Sequence, residues 1–419
     1  MVVTTLIGIG SSVFFALGLP ATSSLFLLGA VGLGAVALGA AALRALTPKS
    51  SLGGNRGYET TALGSALDHQ VIYGKMRVGG ARIYDETTGT NNSYLHRIVA
   101  VAGHEIESFD KIYINDSYVN YADIDASGNI SSVVDPDGTT STRYNDHVRI
   151  KFKFGSPTQS AESTLVTESA HWTNAHKLSG IAYMYIRMKF DADVFPNGIP
   201  EITAEVKGKK VYDPRTSLTA WSDNPALCIR DYLTASYGIS EAVANIDDTL
   251  VTSAANVSDQ LVGSPATKIY AGGVYKIKTV GDTDFTLVGA ANNNVGTVFT
   301  ATGVAVGTGV VETERYTCNG AFTTNSTPYE MIEALLTSMD GSLWYAQGKW
   351  RMKPAYWTTP VLDLDEDDLR SSISVSTRHS RRDNFNTVKG TFRGLESNWQ
   401  TTDYPQVPEN SPSNVNPYL

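Results

Sequence analysis

The chain has 419 residues with a net charge of −9; 42% of them are hydrophobic, 10% aromatic and 18% charged. That length exceeds one hydrophobic core and implies two or three domains, and the composition excludes intrinsic disorder for most of the chain. The acidic balance speaks against nucleic acid as the main partner, because phosphate binding calls for a basic surface. The two cysteines, Cys228 and Cys318, form no CxxC pair. Their spacing supports neither a structural zinc site nor a disulfide framework, and they read as two small buried residues.

The N-terminus carries two apolar runs, 6–20 and 25–43, broken around Pro20 and free of charge until Arg44. As a helix the second would span roughly 28 Å, about one hydrocarbon core. Small residues recur four apart, as Ala30 with Gly34 and Ala35 with Gly39, a spacing that lets helix backbones approach closely. Three readings compete for segment 1–47. A secretory signal calls for positive charge ahead of the apolar core, and none is present. A permanent membrane anchor fits the length but not the dilution by Gly, Ala and Ser. The third is a helix sheltered inside an assembly and exposed later. Residues 48–66 are rich in Gly, Ser and Thr and read as a linker.

Strand patterns then take over. "HQVIYGKMRVGGARIYDET" alternates across a Gly79–Gly80 break, which predicts a hairpin or bulge. "YLHRIVAVAGHEIESFDKIYINDSYV" gives a buried run from Ile98 to Ala102, a turn at Gly103–His104 and a strand from Lys111 to Ile114. Val148, Ile150, Phe152 and Phe154 alternate cleanly, and "IAYMYIRMKFDADVF" and "PEITAEVKGKKVYDPRT" predict two more strands. Helices are few. "SDNPALCIRDYLTASYG" has Asp223 as its expected N-cap, Pro225 in the first turn and Gly238 as its stop. "STPYEMIEALLTSMDG" repeats the pattern with Ser326 or Thr327 as cap and Gly341 at the end. Between them, residues 264–311 turn to Gly, Thr and Val with turn signals every eight to ten residues, which predicts a small inserted β module.

Catalytic constellations are scarce. His96 and His104 lie eight apart, and His171 and His176 five apart; neither spacing matches a helical metal motif, so surface or turn roles are expected. The run "DLDEDDL" at 363–369 reads as an acidic helix N-terminus, and "DPDG" at 135–138 as a turn without a calcium ligand ladder. Arg378, Arg381 and Arg382 in "RHSRRD" leave three roles open: a phosphate contact, ion pairs across a subunit boundary, or a solvated strand edge. No nucleophile elbow, P-loop or dinucleotide fingerprint occurs. No catalytic, cofactor-binding or metal-binding residue is therefore expected.

"VIYGKMRVGGARIYDETTG", followed by "YLHRIVAVAGHEIESFDKIYINDSYV", resembles the N-terminal part of siphophage tail tip proteins, the host-specificity protein J family. "NPALCIRDYLTASYGI", "MIEALLTSMDGSLWYAQGKWRMKPAYW" and "RRDNFNTVKGTFRGLESNWQTTDYPQV" resemble later stations of that family in the same order. The resemblance covers about residues 60–407 apart from the insertion, which is similar to a small β module recurring in phage tail proteins. It implies a mainly β fold of barrel-like hub domains with a few short helices, in a virion tail tip. The segments expected are the apolar N-terminus 1–47, the linker 48–66, hub residues 67–263, the module 264–311, continued hub 312–407 and a tail 408–419.

The resemblance implies a homotrimer that closes the distal tail tube and takes part in adsorption and DNA delivery. Its expected partners are a distal tail ring, the tape measure and fibre components, with DNA passing through but not specifically bound. Transient host-membrane contact through residues 1–47 is the reading it favours for the apolar segment. Family members usually run longer, with fibronectin-like modules and a receptor-binding end. From other classes, a tail-mounted cell-wall hydrolase and a membrane-anchored bacterial surface protein stay as alternatives.

Overall fold

The structure, a computed structural model, describes residues 61–63 and 67–360, and beyond them 362–363, 365–368, 387–392, 394–397, 399–404 and 406. The apolar segment 1–47 and its expected helix, most of the linker, the stretch with Arg378, Arg381 and Arg382, and the tail 408–419 lie outside the described residues.

In chain order, the short strand β1 (Thr61–Leu63) precedes β2 (Gln70–Tyr73), β3 (Lys75–Val78) and β4 (Gly80–Thr88). Then follow β5 (Tyr94–Ala102), β6 (Ile106–Ile114), β7 (Ser117–Asn120), β8 (Val133–Val134), β9 (Thr140–Ser141) and β10 (Val148–Phe154). Helix α1 (Ser163–Glu168) leads to β11 (Ala182–Lys189), β12 (Ile202–Asp213) and β13 (Leu218–Trp221).

These strands build two sheets, ordered β1-β4-β5-β11-β10 and β13-β12-β6-β7-β8-β9, with β3 also on β12. Both sheets are open, and the described residues contain no closed barrel. Their facing sides share one core. Val99, Val101, Val148, Ile150, Met184 and Ile186 of the first sheet meet Met76, Ile106, Phe109, Ile112, Ala204 and Val206 of the second. The alternation of strand side chains explains the choice: Met184 and Ile186 face this core while Tyr183 and Tyr185 face the other side. There Leu165 of α1 and Trp172 cover them, so the central strand β11 is buried on both faces.

The Gly79–Gly80 break is neither a hairpin nor a bulge between its two strands: β3 pairs with β12 and β4 with β5. Gly80 has φ +122°, and a Cβ there would lie 2.3 Å from the carbonyl oxygen of Ala100. Only glycine allows both that backbone and that approach, and the chain crosses there from one sheet to the other. Gly103–His104 is a second crossing, and the strand after it starts at Ile106 rather than Lys111.

A helical layer lies against this sandwich. Helix α2 (Pro225–Thr234) takes Asn224, not Asp223, as its N-cap: the Ala226 N–H donates to the Asn224 side chain at 3.1 Å. It ends four residues before Gly238, because Ala235 is already extended. Helix α3 (Asp248–Ser258) went unread in the sequence. Helix α4 (Pro328–Thr337) carries the capping box of Thr327 and Glu330. Strand β2 joins the layers: Ile72 packs in the sandwich core, Val71 and Tyr73 in the helical one, which also holds Leu227, Tyr232, Val251, Phe322 and Met339.

Between α3 and α4 run β14 (Leu261–Pro265), β15 (Val274–Thr279), β16 (Val298–Thr300) and β17 (Val310–Glu314), a four-stranded sheet in the order β14-β17-β15-β16. Its core of Ile269, Tyr275, Ile277, Phe285, Phe299 and Val311 is its own. Strand β18 (Gly320–Thr323) then pairs with β2, and β19 (Ser342–Ala346) and β20 (Lys349–Lys353) form a hairpin that places Met352 in the helical core. The C-terminal described residues return to the sandwich, where Trp399 is buried.

Candidate functional site

The histidines do not converge. His96 is buried between Thr88 (2.6 Å to Nε2) and the Tyr185 hydroxyl (2.8 Å to Nδ1), and burial lowers its pKa. Tyr185 in turn donates to Glu168 at 3.3 Å, and Arg149 and Arg187 bind the same carboxylate at 3.2 and 2.9 Å. His104 accepts the Ile72 N–H on Nε2 at 3.0 Å and donates from Nδ1 to the Glu105 carbonyl at 2.8 Å. Burial holds its pKa down at about 4, so the ring is neutral and serves as a backbone cap for β2.

His171 is exposed, with Nδ1 2.7 Å from Glu86 Oε1, and His176 stacks on Trp172. Burial would raise the Glu86 carboxyl, but hydrogen bonds from Ser169, Tyr84 and His171 outweigh it and hold the group at about 2. Ser169 therefore faces a carboxylate too weakly basic to take its proton, and the cluster is a structural clasp between β4 and the loop after α1.

The acidic run forms a single turn at Glu366–Asp368 in which Asp365 accepts the Asp367 N–H at 2.9 Å. The residues that would continue the expected helix, from 369 onward, lie outside the described residues. The 135–138 turn closes as read, Asp135 C=O accepting the Gly138 N–H at 2.9 Å. It borders an open cleft lined by Asn115, Asp116, Ser117, Asp137 and Arg143, whose Asp135 carboxylate already binds Arg143 at 3.2 Å. Among the described residues no group of three or more His, Cys, Asp or Glu side chains could hold a metal. None of the described helices is long and apolar enough to cross a membrane.

Two ionic sites, one partly buried at Asp231 and one around the buried Glu205, escaped the sequence reading. Asp231 of α2 accepts the Tyr73 hydroxyl (2.6 Å), the Tyr237 hydroxyl (2.8 Å) and the Lys209 ammonium (2.8 Å). These bonds tie β2, β12 and α2 together at one carboxylate. On the second sheet Glu205 pairs with Lys75 at 2.8 Å and accepts the Trp399 indole N–H at 3.2 Å. Burial pushes the Tyr73 phenol well up, and the Asp231 charge adds to it, so this phenol keeps its proton near neutrality.

What the described surface offers instead is aromatic area. Tyr329 is 76% exposed, Trp357 77% and Tyr345 55%, with Trp344 and Tyr356 also exposed. Trp344 pairs with Arg351, and the Arg315 guanidinium lies 5.3 Å from the Tyr356 ring. Exposed aromatic and arginine side chains are the residue types that anchor protein interfaces. For Trp344 the exposure becomes visible only once the hairpin's other face is known to carry Leu343, Trp350 and Met352.

No protein-family model matches the chain. Over 374 residues it is 23% identical to baseplate hub protein pb3 of Escherichia phage T5, an alignment covering 79% of this chain and 36% of that protein. The chain thus spans about a third of the length of the curated relative it matches. Among solved structures it resembles a chain of the virion of a native gene transfer agent particle, with a TM-score of 0.42 and 13% identity, covering 83% of this chain and 66% of that one.

Proposed function

We propose that the chain is a structural component of a phage tail, of the tail tip type to which the host-specificity protein J family belongs. It forms a trimeric hub that closes the distal tube and serves adsorption and DNA delivery. The observation that carries the reading is the likeness to a baseplate hub protein along 79% of the chain. The ordered motif matches in the sequence support it, and the exposed aromatics between Tyr329 and Trp357 supply surface suited to neighbouring tail proteins. Those neighbours are a distal tail ring, a tape measure and fibre components; DNA passes without specific binding, as the acidic balance favours.

Residues 67–263 and 312–407 form the hub. The module 264–311 stands on its outer side, and residues 1–47 are sheltered before infection and contact the host membrane during it. Cryo-electron microscopy of the tail, with an epitope inserted after the exposed Val306, tests the reading. Label at three positions around the distal end is expected. A sixfold ring, a stable monomer, or label away from the tail would overturn it.

A further inference from the structure

The sequence contains two cysteines, 90 positions apart, and the fold brings them together. Cys228 lies in the first turns of α2 and Cys318 just ahead of β18, both buried in the helical core. Each holds the same short turn. The Cys228 thiol reaches the Ser222 carbonyl at 3.9 Å, and the Cys318 N–H donates to the Asp223 carbonyl at 2.6 Å. The two thiols also hydrogen-bond each other, and both are free. Residues between them include α3 and the whole sheet β14–β17.

We propose that Cys228 and Cys318 are an oxidation site, a thiol pair that closes to an intramolecular disulfide in oxygenated surroundings and staples α2 to the segment ahead of β18, on either side of the β14–β17 module in the chain. In the step two S–H bonds break and one S–S bond forms. The sulfurs give up two electrons and two protons, which molecular oxygen takes to become hydrogen peroxide. The hydrogen bond to Cys318 pushes the Cys228 thiol well up, and burial and the charges of Asp231 and Asp223 add to this. A thiol so protonated oxidises slowly, so the pair stays reduced while the chain folds in a reducing compartment. Cys318, 5% exposed against 0% for Cys228, is the residue of the pair nearer to solvent. The closed loop of about 90 residues is long enough for a cross-link to restrict the unfolded chain substantially.

The test uses the full chain, kept native in air-saturated, mildly alkaline buffer, with a degassed sample under reductant as control. Non-reducing peptide mapping should find the peptide holding Cys228 joined to the one holding Cys318, with the intact mass lower by two hydrogens. The oxidised chain should melt about 5–10 °C higher than the reduced one, and Cys318→Ala should remove both changes. Two thiols still open to alkylation once the oxidised sample is unfolded, or linkage between chains instead of within one, would overturn the proposal. A joined peptide without a higher melting point would overturn the stapling role.

Discussion

His104 makes the stability of this protein depend on pH between about 6.5 and 4, a window that begins above that of its depressed carboxylates. The ring accepts the Ile72 N–H and is held neutral, with a pKa of about 4 against an ordinary 6.5. Below about pH 6.5 the unfolded chain takes up a proton at this imidazole that the folded chain refuses. The contribution is therefore complete above 6.5 and is lost as pH falls toward 4. At 1.36 kcal/mol per pKa unit, the loss reaches about 3 kcal/mol by about pH 4. Glu314 acts oppositely: burial raises it to about 7, with the Asp223 and Asp259 charges adding, so its contribution is lost as pH rises. The comparison that isolates His104 is wild type against His104→Gln, whose amide oxygen can still accept the Ile72 N–H. Denaturant unfolding at about pH 8, 6, 5 and 4 should show the wild type's advantage shrinking by about 3 kcal/mol across the series. Parallel curves would refute the reasoning, because they would mean that the imidazole charges in the folded chain without penalty.

Removing the two partners of one ion pair, of which Arg230 is buried and Asp248 exposed, should have unequal effects. Asp248→Ala leaves Arg230, 5% exposed, without the two bonds it makes at 2.7 and 3.0 Å, and should cost about 1–3 kcal/mol, because water already screens the 39% exposed Asp248 carboxylate. Arg230→Met should cost under about 1.5 kcal/mol, since it removes the buried charge itself; equilibrium denaturation of both variants decides. Gly208→Ala would place a Cβ 2.2 Å from the Ile72 carbonyl oxygen, backbone against backbone, and a loss of about 2–4 kcal/mol should appear in the same assay. Trp399→Phe strips the indole N–H from the buried Glu205 carboxylate and should cost about 1–3 kcal/mol, with faster proteolysis near residues 387–404 as its companion readout.

Local features of this fold are legible where the pattern is strong. Val148 to Phe154 alternates and forms β10, and Thr327 with Glu330 spells the cap of α4. Helix α3 was hidden because its residues, DTLVTSAANVS, mix β-branched and small side chains with weak helix preference; the cap at Asp247 and the burial of Val251 and Ala254 decide it. The sheet exchanges at Gly80 and Gly103 were not legible, because a glycine pair reads the same whether the next strand turns back or departs. The ionic sites at Asp231 and Glu205 join residues 158 and 194 positions apart, and no local spacing encodes such meetings. The aromatic surface was legible only as composition.

Strand β2 sets how the molecule comes apart. Its successive residues are owned by different interiors, Ile72 by the sandwich and Val71 and Tyr73 by the helical layer, while its backbone is capped by His104 and crowded by Gly208. Neither interior can open without exposing the other's share of this strand, so the two melt as one cooperative unit. Amide hydrogen exchange at Ile72 should then report the global opening free energy, and a lesion in either interior should speed it equally. The β14–β17 module, with a core of its own, is free to open at a different cost.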